Sequence, residues 1–167
     1  DQSTPATPGQ PTKLPLLIPF PVAFLSPSGE EMPVQLASED EAPLPGTRMF
    51  ELTQEHTELV FGGLAVKPAV SLNRGFAAPV ILDQGLSDEE LAFLARHETD
   101  PFNRWDAMNR LLINAVHTQT RAKLLRTPEE VSPLVITAAL EVLKNPDLSP
   151  AFKAAALSLP SEKLVAE

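Results

Sequence analysis

The three histidines are the side chains in this sequence best suited to bind a metal ion, so their spacing is the first test for catalytic chemistry. His97 is followed by Glu98, as in the first two positions of a His-Glu-x-x-His zinc motif. That motif needs a second histidine four residues after the first, so that both imidazoles face the metal from one helix, and Pro101 occupies this position. His56 and His117 have no partner at ligand spacing. We therefore predict that none of the three histidines is a metal ligand. His56 and His117 are predicted to lie at the surface.

The serines and glycines also lack the surroundings that catalysis requires. Ser71, Ser87 and Ser132 are outside any Gly-x-Ser-x-Gly turn, which is the turn that exposes a nucleophilic serine. A Ser/His/Asp triad is compatible with the composition, but no spacing favours one. Gly62-Gly63 and Gly75 do not have phosphate-loop spacing and are predicted to be turn or bulge residues. The sequence alone indicates no independent catalytic site.

Two acidic runs have structural interpretations. Glu39-Asp40-Glu41 lacks the regularly placed oxygens and the tight glycine turn of a calcium site, so it is predicted to be a solvated loop. Asp88-Glu89-Glu90 follows Ser87, which predicts a helix N-terminus with a capping box between Ser87 and Glu90. This helix is expected to end near His97.

Helix signals continue through the rest of the second half. Asp100 is predicted to cap a helix with Pro101 in its first turn. Later starts are predicted at Thr127-Pro128 or Ser132-Pro133, at Ser149-Pro150 and at Ser161-Glu162. Residues 86–167 are therefore predicted to form an α-helical, superhelical-type segment of four to five helices.

The helix after Asp100 carries an apolar stripe at spacings of three and four, formed by Phe102, Trp105, Met108, Leu112 and Val116. The opposite face is formed by Asn103, Arg110, Asn114 and His117. Aromatic residues at this spacing favour a core over a recognition surface. Beside the stripe, Arg104 and Asp106 are predicted to fix the helix against a neighbour or the sandwich.

The first half has the pattern of a β-protein. All seven glycines lie at or before Gly85 and twelve of the eighteen prolines lie before residue 84, so turn signals concentrate here. Short strands are predicted at residues 18–25, 32–36, 49–52, 59–61, 69–72 and 79–82, the first two as a hairpin. Prolines at 19, 21 and 33 predict strand edges or bulges. The spacing favours an immunoglobulin-like antiparallel β-sandwich over residues 1–85.

Composition narrows the possible partners and location. The net charge is −9, of which −6 falls up to Gly85 and −3 after it, so neither half suits a nucleic acid. The absence of cysteine is compatible with a reducing compartment. The longest apolar run, residues 14–25, is interrupted by prolines and is shorter than the roughly 20 residues of a membrane helix. No secretion signal is recognised at the N-terminus, and a cytoplasmic, membrane-free location is expected.

Four collinear segments carry a resemblance to a known family. They are Pro5 to Lys13, Ile18-Pro-Phe-Pro-Val, Arg74-Gly-Phe-Ala-Ala-Pro-Val, and Ser87 to Ala107. Together they resemble the bacterial aminopeptidase N (alanyl aminopeptidase) family of zinc metallopeptidases, across about the first 110 residues and more loosely to Leu159-Pro-Ser. Several motifs in order are more specific than any one of them.

The resemblance implies a place within a larger enzyme that removes N-terminal amino acids from peptides. Such enzymes have an N-terminal β domain, a thermolysin-like catalytic domain, a small β-sandwich and a large C-terminal helical domain. This chain resembles the sandwich and the opening helices of the last domain. The zinc ligands and catalytic residues of the family belong upstream, so no catalytic, cofactor-binding or metal residue is assigned here, and zinc is expected only in the parent enzyme.

The resemblance implies a non-catalytic connector that positions the helical domain over the catalytic cleft. Phe76, Phe102 and Trp105 are then expected to pack the sandwich against the first helices. The expected partners are the catalytic and remaining helical domains of the same polypeptide, and peptide substrate is met only through the parent. A free-standing immunoglobulin-like interaction module and a self-sufficient enzyme are the alternatives.

Overall fold

The structure is a computed structural model that describes residues 1–40, 42–128 and 130–166. The chain divides into two compact units, Asp1–Ile81 and Leu82–Glu167. In its described part the first, here called the β unit, contains the strands β1 (Ile18–Leu25), β2 (Gln35–Leu36), β3 (Arg48–Leu52), β4 (Phe61–Gly62) and β5 (Ala69–Leu72). The described part of the second, the helical unit, contains α1 (Asp88–His97), α2 (Pro101–Leu125), α3 (Pro133–Lys144), α4 (Pro150–Ala156) and α5 (Glu162–Ala166). The predicted order, antiparallel strands and then four to five helices, is confirmed.

Strand β1 is the centre of a three-stranded antiparallel sheet in the order β3-β1-β5. Its first half, up to Val22, pairs with β3, and its second half, from Val22, pairs with β5. Pro19 and Pro21 lie in the first half and have no N–H. They therefore cannot form the hydrogen bonds that a second strand, on the side away from β3, would need. Strand β5 accordingly ends at Leu72, the partner of Val22, before the ladder reaches Pro21. The predicted edge character of this part of β1 is confirmed.

The second predicted strand is only partly correct. The turn after β1 forms as expected, and the N–H of Met32 donates to the carbonyl of Phe24 at 2.8 Å. The hairpin then ends, because Pro33 has no N–H to continue the ladder. The strand that follows, β2, is two residues long and pairs with β4 in a separate sheet.

The strand predicted at residues 79–82 is wrong. No strand is assigned there, and the N–H of Val80 instead donates to the carbonyl of Ala78 at 2.9 Å. Pro79 cannot donate to a neighbouring strand, and the local bond turns the chain away from an extended course. Ile81 is fully exposed. The last strand of the described part of the β unit is therefore β5.

The core of the β unit is built from alternate residues of β1 and the aromatic residues that face them. Val22, Phe24 and Val34 are buried, and Phe20, Phe50 and Phe61 are among the residues that pack against them. The ring of Phe61 meets Phe24 edge-on at a centroid distance of 4.7 Å and Phe50 at 5.8 Å. Such pairs contribute about 0.5–1.5 kcal/mol each beyond the area that they bury. The alternation predicted for β1 thus places its side chains in the core.

The helices begin where the sequence predicts. The N–H of Glu90 donates to the Ser87 hydroxyl at 3.2 Å, and the N–H of Ser87 donates to the Glu90 carboxylate at 3.0 Å, which confirms the capping box. The Asp100 carboxylate caps α2 by accepting from the N–H of Asn103 at 2.9 Å. Of the two predicted starts near residue 130, Ser132-Pro133 is the correct one. In the described part of the chain, no helix is both long and apolar enough to cross a membrane.

Candidate functional site

Phe76 is the first of the three residues predicted to pack between domains, and it lies in a strained turn after β5. The backbone φ is 52° at Asn73, 67° at Gly75 and 52° at Phe76. This left-handed region suits glycine and is tolerated by asparagine, but it is rare for a bulky side chain and costs about 1–3 kcal/mol. Phe76 is 48% exposed. The turn therefore holds an aromatic ring at the surface in an unfavourable backbone conformation.

The strained turn is braced by the Asn73 side chain. Its Nδ2 donates to the carbonyl of Ala78 at 2.8 Å, and its Oδ1 accepts from the N–H of Ala78 at 2.9 Å. The N–H of Phe76 donates to the carbonyl of Asn73 at 3.1 Å. Asn73 and Ala78 are both buried. These bonds stabilise a local conformation that the residue types alone do not favour.

Arg74 anchors the same turn to distant parts of the β unit. Its guanidinium is 8% exposed, and Nη1 donates to the Glu31 carboxylate at 2.8 Å and to the Thr47 hydroxyl at 2.6 Å. The sequence pattern does not indicate this role, although Arg74 lies in one of the segments that carry the resemblance. One signal was available: Arg74 is one of only four basic residues up to Gly85, so a structural partner could have been expected.

Phe102 and Trp105 lie together in the first turns of α2. Their ring centroids are 5.8 Å apart, and Phe102 is 37% exposed. The buried part of α2 begins later, at Ala107, Met108, Leu111 and Leu112. The prediction that the whole stripe is core is thus wrong for Phe102, because the buried surface of α2 starts one turn beyond it. Trp105 is partly buried.

The connection between α1 and α2 is held by a buried carboxylate and an arginine. Glu98 is 1% exposed and accepts from the N–H of Asp100 at 2.9 Å. Arg104 donates to the carbonyl of Arg96 at 3.1 Å, which confirms that it fixes α2 against a neighbour. Burial lowers the pKa of Arg104, while the nearby Glu98 opposes this change.

Asp106, the other residue predicted to fix α2, pairs within its own helix. Its carboxylate lies 3.8 Å from the Arg110 guanidinium. Burial raises the pKa of Asp106, and Arg110 opposes the change. On the same helix, the Asn114 amide donates to the Asp88 carboxylate in the first turn of α1 at 2.8 Å. Two residues of the predicted polar face, Arg110 and Asn114, are therefore partly buried and engaged.

His97 and Glu98 are not arranged as metal ligands. The His97 ring lies 4.7 Å from the ring of Phe93, and burial followed by the charge of Arg96 lowers the His97 pKa. His56 and His117 are exposed, which confirms their predicted surface positions. Among residues 1–40, 42–128 and 130–166, no group of three or more histidine or acidic side chains could hold a metal ion.

The remaining residues with potential chemistry have structural roles. Ser87 and Ser132 cap helices, and Ser71 is buried in β5. The prediction of a solvated acidic loop at 39–41 is wrong for Glu39, which forms a two-point ion pair with Arg48 at 2.7 Å for both contacts. The bond to Arg48 lowers the pKa of Glu39. Glu41 lies outside the described residues.

Comparisons with known proteins identify the family. Residues 1–85 match the family described as "Domain of unknown function (DUF3458) Ig-like fold", and residues 88–167 match its companion, "Domain of unknown function (DUF3458_C) ARM repeats". The chain belongs to this family. The predicted immunoglobulin-like fold, followed by helices of a superhelical type, is thereby confirmed.

The individual relatives are aminopeptidases. The chain is 34% identical over 166 residues to Aminopeptidase N of Escherichia coli (strain K12) and 29% identical over 170 residues to Aminopeptidase N of Haemophilus influenzae; each match covers 99% of this chain and 18% of the relative. The crystal structure of Legionella pneumophila aminopeptidase A in complex with aspartic acid shares the fold, with a TM-score of 0.66 and 22% identity over 87% of this chain and 15% of that one. The resemblance to aminopeptidase N is confirmed, and the chain spans less than a fifth of these relatives.

Proposed function

We propose that this chain is a non-catalytic section of a zinc-dependent aminopeptidase, in which it connects and positions neighbouring domains. The observation that carries the proposal is the similarity to aminopeptidase N along 99% of the chain, over only 18% of the relative's length. That similarity supports a domain of an aminopeptidase. The removal of N-terminal amino acids from peptides, the zinc ion and a cytoplasmic location are proposed for the parent enzyme.

The residues near the single His-Glu pair do not fit a zinc ion. The Glu98 carboxylate is buried and accepts from the N–H of Asp100, and the His97 ring packs beside Phe93. Pro101 begins α2 at the position where a second histidine ligand would stand. We therefore propose that the zinc ion is bound by another part of the polypeptide.

The proposed contribution of this chain is positional. Phe76, Phe102 and Trp105 are the proposed interdomain packing residues, and Phe76 and Phe102 are exposed aromatic side chains. Exposed aromatic rings bury a large apolar area when a neighbouring domain covers them. A domain that closes over an active site excludes water and limits which substrates enter. The proposed partners are the catalytic and remaining helical domains of the same polypeptide.

The test uses Trp105→Ala in the full-length polypeptide, with Leu124→Ala as the control because Leu124 is an exposed residue on the same helix. We expect Trp105→Ala to lower the melting temperature and kcat/KM for an amino-acyl arylamide while the zinc content stays at its original stoichiometry. Leu124→Ala should change none of the three. Loss of zinc with unchanged melting, or stoichiometric zinc and hydrolysis in residues 1–167 alone, would contradict the proposal.

A further inference from the structure

The backbone of the β unit is held in place as far as Ala78. This residue is 3% exposed, and its N–H and its carbonyl are both bonded to the Asn73 side chain, at 2.9 and 2.8 Å. Asn73 is itself buried. Two hydrogen bonds to one buried side chain fix the peptide groups on both sides of Ala78. Movement of the chain after β5 must therefore begin beyond this residue.

The chain that enters the helical unit is bonded to α2 by two side chains. Gln84 Oε1 accepts from Arg110 Nη1 at 3.3 Å, and the Asp88 carboxylate accepts from Asn114 Nδ2 at 2.8 Å. Arg110 and Asn114 lie four residues apart, and therefore on one face of α2. Their two acceptors are also four residues apart, so the segment between them follows this face. This segment, residues 84–87, is here called the strap.

Burial along the connecting segment agrees with these bonds. Leu82, Gln84 and Leu86 are partly buried and alternate with exposed residues. A period of two is that of an extended chain with one side against a neighbour. Before them, Pro79 is exposed and Ile81 is fully exposed. The division between the two compact units falls directly after Ile81, at the point where burial begins again.

We propose that residues 79–81 are the hinge of this chain, and that the strap moves as part of the helical unit because Arg110 holds it to α2. Hinges are a few residues at the ends of elements that absorb changes in φ and ψ. The bond from the N–H of Val80 to the carbonyl of Ala78 spans only two residues. Segments with few buried contacts open most easily.

The proposed hinge differs from the position that the sequence predicts. The predicted boundary between the sandwich and the helices, at residues 85 and 86, would place a hinge within the strap. The bonds and the burial of the strap place the hinge before it instead. The inference goes beyond the proposed function, because it concerns movement within this chain and requires no activity of a longer polypeptide.

Three variants test the role of Arg110. Arg110→Met keeps an apolar stem and removes the donor to Gln84, while Gln84→Ala removes the acceptor and leaves α2 unchanged. The second variant is needed because Arg110 also lies 3.8 Å from the Asp106 carboxylate on its own helix. Arg121→Met is the matched control, since Arg121 is an exposed arginine on the same helix.

The measurement is ¹⁵N relaxation of residues 1–167, which gives an order parameter for each backbone N–H. In the wild-type chain, we expect about 0.85 at Ala78 and along the strap, and less than about 0.6 at Val80 and Ile81. In Arg110→Met and in Gln84→Ala, residues 84 and 85 should also fall below about 0.6. Asp88 should keep its value, because Asn114 still holds it. Arg121→Met should match the wild type.

Three results would overturn the inference. Order parameters near those of rigid backbone throughout residues 78–88 would show that the chain has no hinge here. Low values along the strap of the wild-type chain would show that it does not belong to the helical unit. Unchanged values at Gln84 in both strap variants would show that Arg110 does not hold it. Zinc content and arylamide hydrolysis of the full-length polypeptide test the proposed function separately, and neither enters this measurement.

Discussion

The β unit and the helical unit differ in the contacts that fix their secondary-structure elements. In the β unit, β2 and β4 are two residues long, and side chains connect segments far apart in sequence. Arg74 reaches Glu31 across 43 residues, and the Gln2 amide donates to the carbonyl of Gln54 across 52. In the helical unit, each of the first two helix starts is fixed by a bond across three residues. Long-range polar contacts occur in the helical unit as well, as between Glu141 and Arg96. Its helix starts are nevertheless fixed locally, so loss of a long-range anchor of the β unit should cost more than loss of a helix cap.

The short strands explain why the β unit depends on such anchors. A two-residue strand contributes few ladder hydrogen bonds, so isolated pairs such as β2 and β4 are marginal by themselves. The Arg48–Glu39 ion pair ties the chain beside β2 to β3, and Arg74 ties the turn after β5 to Glu31 and Thr47. These side chains supply connections that longer strands supply in other sandwiches.

The largest expected effect is that of Arg74→Met. The substitution keeps a long apolar stem but removes a buried charge, and it removes the bonds from Arg74 to the Glu31 carboxylate and the Thr47 hydroxyl. Because the Glu31 side chain is partly exposed, loss of these bonds costs about 2 kcal/mol in the free energy of unfolding. Urea denaturation of residues 1–167, monitored through a signal from the β unit, measures this change in the free energy of unfolding.

Two variants of the helical unit serve as comparisons for Arg74→Met. Lys123→Met removes an exposed charge and should change the free energy of unfolding by less than about 0.5 kcal/mol. Asp100→Ala removes the α2 cap and should cost about 1 kcal/mol. If Asp100→Ala destabilised the helical unit as much as Arg74→Met destabilises the β unit, the contrast between local and long-range contacts would be wrong.

The range of the contacts also decides what the sequence could predict. The capping box at Ser87 and the cap at Asp100 are complete within a few residues, so the pattern contains both partners. The pairing of β2 with β4, and of Arg74 with Glu31, depends on segments that meet only after folding. Residues 79–82 have the pattern of a short strand, but Pro79 and the bond from Val80 to Ala78 prevent it.

The candidate packing residues show the same limit. Helical spacing placed Phe102 and Met108 on one stripe, but the sequence could not show where along α2 the buried surface begins, and only Met108 is fully buried. Gly75 was recognised as a turn residue. The pattern did not indicate that the left-handed conformation extends to Phe76, because this depends on the bracing by Asn73.

A smaller effect is expected at Phe76, where the glycine variant should be more stable than the alanine variant, which is the reverse of the usual order. Glycine is usually less stable than alanine within regular structure by about 0.5–1 kcal/mol. At a φ of 52°, alanine keeps the steric penalty and glycine removes it, so Phe76→Gly should be more stable than Phe76→Ala by about 1 kcal/mol. Chemical denaturation of the two variants measures the difference.

The matched control for Phe76 is Met49, an exposed apolar residue in β3 of the same unit. Met49→Ala should be more stable than Met49→Gly, the usual order. The same order at Phe76 would mean that the turn relaxes when the ring is removed, and the long-range anchors of the β unit would then be less rigid than we infer.

The smallest expected effect belongs to the helical unit and depends on pH. Burial, and then the positive charge of Arg96, lower the pKa of His97 below its usual value of 6.5, with Arg104 adding to this change and Glu141 opposing it. Between the lowered pKa and about 6.5, the unfolded chain binds a proton that the folded chain does not, so stability falls as the pH is lowered through this window. Above it, His97 is neutral in both states and contributes no dependence.

His97→Gln isolates this contribution, because glutamine has no titratable group. Between about pH 7.5 and 5.5, the wild-type chain should lose more stability than His97→Gln, measured as the shift in the thermal transition of the helical unit. His117→Gln is the control, since His117 is exposed and its ring nitrogen lies 2.8 Å from the carbonyl of Val165. Identical pH dependence in wild type and His97→Gln would show that the α1 and α2 corner does not exclude the proton, and that the packing beside Phe93 opens more readily than the caps of the two helices suggest.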